Sequence, residues 1–246
     1  QFARRVSQNI ALFRGHNQLA IKVKNRNNVP TAAGLASSDS GFAALTLAMN
    51  DALSLHLSNE VLSMIARMGS GSACRSIFNG FVEWHMGHRE DGLDSHAHPI
   101  DATWDELRIG LVKVDVGEKS VDSRSGMQRT KETSHLYNSW PAQANADLLK
   151  LHQAIVEKDF TLLGSTAEHN AMSMHATFAS SWPPLVYWQP ESLEATHKLW
   201  HLREQGMEVY FTMDAGPNLK LLFQKESLSD LLAHFPELEV VTPFGV

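Results

Sequence analysis

The chain has 246 residues, of which 43% are hydrophobic and 20% are charged, a balance typical of a folded globular protein with a substantial core. Its formal net charge of −6 argues against a surface that coats nucleic acid, and the sequence contains no apolar run of about 18 residues that would span a membrane. The single cysteine, Cys74, excludes an internal disulfide and indicates a reducing compartment, the cytoplasm.

The amino-terminal half is predicted to contain both strands and helices. The first residues, Gln1 to Arg5, contain neither an initiator methionine nor an apolar signal region, so we expect the chain as given to begin inside a larger fold. Apolar residues then recur with period two or at helical spacing, and Gly69 supplies a helix stop. The predicted elements are a strand over 18–24, helices over 38–55 and 58–69, and strands over 80–86 and 107–114.

The carboxyl-terminal half is predicted to be mainly helical and to end in a strand pair. The predicted elements are helices over 144–156, 160–174 and 192–204, strands over 207–213 and 219–223, and a tail of helix plus short strand. The order lacks regular βαβ alternation, which favours an α+β fold with antiparallel sheets. We expect two lobes, 1–120 and 121–246.

A loop of small residues over 30–38 precedes the first predicted long helix. Its glycine, Gly34, lets the backbone curl closely around a ligand, and the helix N-terminus offers unpaired N–H groups that suit a phosphate. No Gly-Lys-Ser/Thr sequence follows, so the loop is not a Walker A motif. The loop therefore predicts a cradle for a nucleoside triphosphate.

A second motif, Gly69–Ser76, places serines and glycines ahead of Arg75. Hydroxyls and a guanidinium fork suit phosphate or carboxylate, but a tight turn between helices with a solvated arginine explains the segment equally well. Cys74 has no neighbouring base in the sequence, which favours a buried spectator thiol over a nucleophile.

Two further turns carry charged residues. Ser123 and Arg124 follow the strongest predicted strand and either face phosphate oxygens or form a serine cap with a surface arginine. Asp214 ends an apolar strand, where we expect it to be partly buried. It is a candidate general base or charge partner of a substrate hydroxyl, although the segment taken alone favours a turn-forming aspartate ahead of Gly-Pro.

The thirteen histidines are scattered along the chain rather than spaced as a metal-binding set. The four nearest to such a set lack the paired spacing of a zinc site, so we expect exposed or hydrogen-bonded side chains. These four are His85, His88, His96 and His98.

Phosphoryl transfer requires groups that hold phosphates and a carboxylate that faces the attacking hydroxyl. The turns with serine and arginine and the strand-end Asp214 could supply both. Four motifs in this chain together resemble the diphosphomevalonate decarboxylase family of the GHMP kinase superfamily. They stand in family order between residues 18 and 223, and the form of Tyr210–Asp214 is closer to bacterial members than to animal ones. The motifs are Val29–Ser38, Gly69–Ser76, Gly80–Trp84 and Met213–Asn218.

The resemblance implies a two-lobed α+β GHMP kinase fold with an active site in the cleft between the lobes. It implies conversion of (R)-5-diphosphomevalonate to isopentenyl diphosphate in the mevalonate pathway of isoprenoid biosynthesis, with ATP and Mg²⁺ as cofactors. The 3-hydroxyl is phosphorylated first, and loss of that phosphate drives decarboxylation, giving ADP, phosphate and CO₂. The family expectation is a cytoplasmic homodimer without nucleic-acid or membrane partners.

The same resemblance assigns roles to individual residues. Asp214 would lie against the 3-hydroxyl as base or orienting carboxylate, and Arg75 would grip the substrate carboxylate. Further substrate-binding residues would be Ser70, Ser72, Ser123 and Arg124. The residues around the ATP phosphates would be Gly34, Leu35, Ala36, Ser37 and Ser38. No metal ligands are indicated.

The chain departs from the family pattern in two places. The family's Tyr-Trp-Gly-Lys-type amino-terminal segment has no match before Gln18, so a protein that truly started at Gln1 is expected to show little or no turnover. Asp39 stands where the family has a small residue, and it either adds negative charge near the phosphates or stabilises the helix dipole.

Two alternatives stay open. One is a paralogue of the same fold, a phosphomevalonate decarboxylase or a mevalonate 3-kinase, and the presence of Asp214 in its motif favours the diphosphomevalonate enzyme. The other is a non-catalytic remnant that binds a nucleotide.

Overall fold

The computed structural model forms two compact units, of which the first ends at Thr103 and the second begins at Trp104. The two lobes predicted from the sequence meet at residue 120. The units divide earlier because the strand Leu107–Val112 pairs with strands of the second unit. No helix in the part of the chain that the structure describes is long and apolar enough to cross a bilayer. The described residues are 2–14, 20–26, 37–115, 117 and 120–244.

The first unit combines helices with a small antiparallel sheet. Its elements are α1 (Phe2–Arg14), α2 (Ser37–Ala52), α3 (Asn59–Gly69), a 3₁₀ segment (Gly71–Ile77), β1 (Val82–Trp84) and β2 (Ala97–Pro99). The predicted helices over 38–55 and 58–69 are confirmed as α2 and α3. Ser58 caps α3, its side chain accepting from Val61 N at 3.4 Å, as its place before the apolar run suggests.

The strand predicted over 18–24 is wrong for the part that is described. Residues 20–26 have no regular structure, although Ile21 packs against a cluster that includes Ile10, Phe13 and Met49. The alternation of side chains therefore reflects packing beside α1 and α2 rather than strand pairing. The helix α1 is itself not predicted by the sequence pattern.

The second unit is built on a four-stranded antiparallel sheet in the order β4-β5-β3-β6. Its elements are β3 (Leu107–Val112), α4 (Ser123–Thr133), α5 (Trp140–Glu157), α6 (Phe160–Ala179), α7 (Pro190–Glu204), β4 (Val209–Met213), β5 (Leu219–Gln224), α8 (Leu228–His234) and β6 (Glu239–Val241). The predicted helical stretch, the β4–β5 pair and the final helix and strand are confirmed.

The core of the second unit lies between this sheet and its helices. Each large apolar side chain buried there contributes about 1.5–3 kcal/mol. Helix α6 approaches β4 so closely that a Cβ at Gly164 would lie 2.0 Å from Cδ2 of Tyr210. This packing holds the start of β4 against α6. The fully buried core residues include Leu199, Val209, Phe211, Leu219, Leu221 and Phe223.

Candidate active site

Only the last two residues of the predicted nucleotide loop belong to the part of the chain that the structure describes. Gly34, Leu35 and Ala36 lie outside the described residues, whereas Ser37 and Ser38 open helix α2. The Ser38 hydroxyl lies 3.3 Å from that of Ser70. Ser38 is the second residue of α2 and so stands at the N-terminus of that helix, where unpaired N–H groups and the helix dipole favour an anion.

Asp39 joins the serines of the second motif. Its Oδ1 accepts from the Ser70 hydroxyl at 2.7 Å, and its Oδ2 accepts from the Ser72 hydroxyl at 2.6 Å. Ser38 Oγ lies 3.5 Å from the same Oδ1. The structure thus brings three predicted site serines together around the carboxylate of Asp39. In the sequence, Asp39 is notable only as a departure from the family pattern.

Gly69 makes this meeting of α2 and α3 possible. A Cβ there would lie 2.2 Å from Cδ1 of Phe42, whose side chain is 1% exposed. Ser70 follows in extended conformation, and its N–H donates to Ala66 O at 3.1 Å. Arg5 of α1 donates from Nε to Gly69 O at 3.1 Å, and its guanidinium lies over the Phe42 ring. The serine motif is therefore held by packing on one side and a hydrogen bond on the other.

Arg75 and Cys74 are neighbours in the 3₁₀ segment with opposite exposure. The Arg75 side chain is exposed, while Cys74 is fully buried. Burial raises the pKa of the Cys74 thiol to about 11, although the charge of Arg75 opposes that shift. A thiol that stays protonated at neutral pH is a poor nucleophile, so the predicted buried thiol is confirmed. The role of Arg75 toward substrate stays a prediction.

Asp214 and Lys220 face each other across the β4–β5 turn. The strand register pairs Thr212 with Lys220, and alternation of side chains places Asp214 and Lys220 on the same face. Lys220 Nζ lies 2.5 Å from Asp214 Oδ2. The expectation of a partly buried Asp214 is wrong: its side chain is 57% exposed, because it projects beyond the end of the strand.

Lys220 is a candidate functional residue that the sequence reasoning missed. The pairing of the two strands could have indicated it. In a hairpin with a turn of this length, the residue six positions after the strand-end aspartate lies on the same face of the sheet as that aspartate.

Buried side chains hold the backbone of this turn. The His175 ring, 4% exposed, donates from Nε2 to Asp214 O at 3.1 Å, and burial lowers the pKa of His175 to about 4, so that the ring is neutral at pH 7. Asn218, 1% exposed, accepts on Oδ1 from Val114 N at 2.7 Å and from Asp115 N at 3.0 Å. Its Nδ2 donates to Asp115 O at 2.8 Å. The turn is therefore fixed although the Asp214 carboxylate is exposed.

Ser123 and Arg124 begin helix α4, but the N-cap is Asp122. The Asp122 carboxylate accepts from the backbone N–H groups of Arg124 and Ser125, each at 3.1 Å, and the Ser125 hydroxyl lowers its pKa below the usual range. The alternative in which Ser123 is the capping residue is therefore wrong. Arg124 lines a surface groove of about 570 Å³ together with Ser125, Gln128, Arg129, Glu132, Thr133 and Trp182.

Comparison with known families gives two matches. The model described as "Diphosphomevalonate decarboxylase-like N-terminal domain" matches residues 1–97, and "Mevalonate 5-diphosphate decarboxylase C-terminal domain" matches residues 111–241. The chain is 39% identical over 220 residues to diphosphomevalonate decarboxylase ERG19 of Gibberella zeae, covering 87% of this chain and 58% of that protein. It is 38% identical over 228 residues to the Saccharomyces cerevisiae diphosphomevalonate decarboxylase, covering 90% and 57%. The chain thus spans somewhat more than half the length of these curated relatives.

Solved structures match over nearly the whole chain. Mevalonate diphosphate decarboxylase from Enterococcus faecalis has a TM-score of 0.88 at 43% identity, covering 97% of this chain and 75% of that one. The Staphylococcus aureus enzyme has a TM-score of 0.88 at 38% identity, covering 97% and 74%. A structure of MDDEF in complex with MVAPP, AMPPCP and magnesium has a TM-score of 0.90 at 44% identity, covering 97% and 75%. These matches confirm the predicted α+β fold class.

Proposed function

Because the chain belongs to the diphosphomevalonate decarboxylase family of the GHMP kinase superfamily, we propose that it serves the ATP-dependent decarboxylation of (R)-5-diphosphomevalonate. The products are isopentenyl diphosphate, ADP, phosphate and CO₂. The observation that carries the proposal is the Asp214–Lys220 pair, held on a rigid turn within the family motif. A related structure with MVAPP, AMPPCP and magnesium supports the same substrate and cofactor classes.

Asp214 is the proposed base for the first step. Lys220 contacts Oδ2, which leaves Oδ1 to accept the proton of the substrate 3-hydroxyl as that oxygen attacks the terminal phosphorus of ATP and ADP departs. The bond between C3 and the phosphorylated oxygen then breaks and releases phosphate. The electron pair of the C1–C2 bond forms the C2–C3 double bond, and CO₂ leaves.

The remaining side chains bind and orient the substrate in this proposal. Arg75 holds the substrate carboxylate until the leaving phosphate is installed, and Ser70 and Ser72 position it through their hydroxyls. A fixed substrate gains much of its rate from orientation. The exposed guanidinium of Arg124, with Ser123 before it, offers charge-assisted hydrogen bonds to the diphosphate.

The start of α2 fits a magnesium nucleotide. Mg²⁺ is held in proteins by few side-chain oxygens plus substrate phosphates and water, and the Ser38 hydroxyl at a helix N-terminus supplies such an oxygen beside the proposed phosphate position. Both Asp39 oxygens already accept from serines. When bound, the ion would offset negative charge on the ATP phosphates. We also propose a cytoplasmic homodimer, and the buried single thiol Cys74 fits a reducing compartment.

An activity assay tests the proposal. The protein that carries this chain is supplied with ATP, Mg²⁺ and diphosphomevalonate labelled at its carboxyl carbon. We expect ADP and labelled CO₂ in equal amounts. ADP without CO₂ would identify a 3-kinase instead, and turnover confined to the monophosphate substrate would identify the other paralogue. Absence of ADP with either substrate would overturn the proposal in favour of a nucleotide-binding remnant.

Replacement of Asp39 tests the electrostatics of the serine cluster. We expect Asp39→Ala to lower the KM for ATP on the order of fivefold, because a charge 4 Å from a phosphate costs about 1 kcal/mol even in water. The substitution also frees the hydroxyls of Ser70 and Ser72. Steady-state kinetics with Asp51→Ala as the control, an exposed aspartate of the same helix, separates this effect from general loss of charge. A raised KM for ATP would show instead that Asp39 assists binding.

A further inference from the structure

The β1–β2 pair places an acid and two histidines on one face. Glu83 lies directly opposite His98 in the antiparallel register. His85 is two residues beyond Glu83, so its side chain projects to the same side. The spacing of the histidines along the chain does not indicate a metal site, because the three residues meet only through the pairing of the strands.

The distances among these side chains match the ligand shell of a zinc ion. His85 Nε2 lies 3.5 Å from Glu83 Oε1, and His98 Nε2 lies 3.8 Å from Glu83 Oε2. Ligand atoms bound tetrahedrally at 2.0–2.1 Å from zinc lie about 3.4 Å apart. One ligand atom from each residue lies within 4.8 Å of the others, and the two imidazole rings are 4.4 Å apart between centroids.

We propose that Glu83, His85 and His98 form a Zn²⁺ site on the first unit, with water in the fourth position. Two imidazoles and one carboxylate are a donor set that zinc uses, whereas Mg²⁺ and Ca²⁺ prefer oxygen ligands. Within the described ranges, this is the one group of three or more histidine, cysteine or acidic side chains that converges in this way. The site uses none of the residues to which the proposed decarboxylation assigns a role.

The hairpin holds the ligands in place before a metal binds. His85 N donates to His96 O at 2.9 Å, which continues the strand pairing by one position. Ser95 Oγ donates to His85 O at 3.0 Å and accepts from Trp84 Nε1 at 3.1 Å. Preorganised ligands lower the entropic cost of binding a metal.

Exposure of the ligands makes the site accessible from solvent. The Glu83 side chain is 13% exposed, and those of His85 and His98 are 53% and 40% exposed. The carboxylate thus forms the inner wall, and the imidazoles form the rim. The neighbouring His96 is different: its Nε2 lies 3.2 Å from Glu60 Oε1 of α3, in a contact between two side chains only.

Calorimetric titration of chelator-treated protein with Zn²⁺ tests the site. We expect one Zn²⁺ per chain at this site, bound at least about tenfold more weakly by the His85→Gln/His98→Gln double variant, since even outer partners of zinc ligands change affinity by that factor. A roughly hundredfold excess of Mg²⁺ should not displace the ion. Co²⁺ in place of Zn²⁺ should give the visible absorption of a four-coordinate ion in the native protein and lose it in the double variant.

His88→Gln is the matched control, because His88 is an exposed histidine of the same hairpin outside the cluster. It should bind Zn²⁺ like the native protein. Equal affinity of the native protein and the double variant would overturn the proposal and leave the cluster as contacts between side chains, and so would an equal loss in His88→Gln. The single variant His85→Gln, at a position more than half exposed, keeps the test valid if the double variant fails to fold.

Discussion

Asp214→Asn should reduce kcat for decarboxylation by about 10²–10⁴-fold, the range typical of a lost general base. The amide keeps the size of the carboxylate but accepts no proton from the substrate hydroxyl. The turn should persist, because its backbone is held by His175 and Asn218 rather than by the Asp214 side chain. Binding of diphosphomevalonate, measured by calorimetry, should therefore survive largely unchanged.

The matched control for this variant is Asp230→Asn, an exposed aspartate on α8 of the same unit. It should leave both kcat and binding at native values. Turnover of Asp214→Asn within a few-fold of the native rate would remove Asp214 from the mechanism, even if the chain decarboxylates diphosphomevalonate. Loss of turnover together with loss of the folded circular dichroism spectrum would contradict the independence of the turn from this side chain.

Gly69→Ala should lower the free energy of unfolding by about 1–3 kcal/mol, the cost typical of forcing extra volume into a packed core. The added methyl would lie 2.2 Å from Cδ1, 2.5 Å from Cγ and 2.7 Å from Cε1 of the buried Phe42 ring. Relief requires α3 to move away from α2, and this movement separates Ser70 from Ser38 and Asp39. We therefore expect a raised KM for substrate as well as a lower midpoint in urea denaturation.

Gly41→Ala is the control for that experiment, because Gly41 lies in helix α2 with Asn25 Nδ2 at 3.4 Å as the contact its Cβ would make. Alanine has the higher helix propensity, so this variant should be neutral or more stable by up to about 1 kcal/mol. Equal stability of Gly69→Ala and Gly41→Ala would show that α2 and α3 adapt to the added volume, contrary to the packing argument.

The sequence predicts elements whose signals are local. Helix α3 has a capping serine, Ser58, apolar residues at helical spacing and a glycine stop, and all three signals agree with its observed bounds. The residues 20–24 carry an equally clear alternation but have no regular structure. Alternation reports which side chains are buried, whereas a strand also needs a partner, and the partner is decided by the fold.

In the candidate site, too, local motifs can be predicted from the sequence, whereas contacts between distant residues cannot. Ser70, Ser72 and Asp214 stand in recognisable motifs, so their positions can be predicted from the sequence. The partners that orient them come from distant residues: Asp39 lies 31 positions from Ser70, and His175 lies 39 positions from Asp214. No local pattern predicts such pairs, since they are brought together by helix packing and by the sheet. The roles of Arg75, Ser123 and Arg124 toward substrate stay predictions.

The neutral imidazole of His175 links the folding of the second unit to acidity. An unfolded chain binds a proton at His175 below about pH 6.5, whereas the folded chain does so only near pH 4, because burial lowers the pKa of the ring. Between these values the unfolded state holds more protons, so unfolding becomes easier as the pH falls. The full difference corresponds to about 3 kcal/mol. Acid would thus weaken the support beneath Asp214 through a residue that the proposed chemistry never uses.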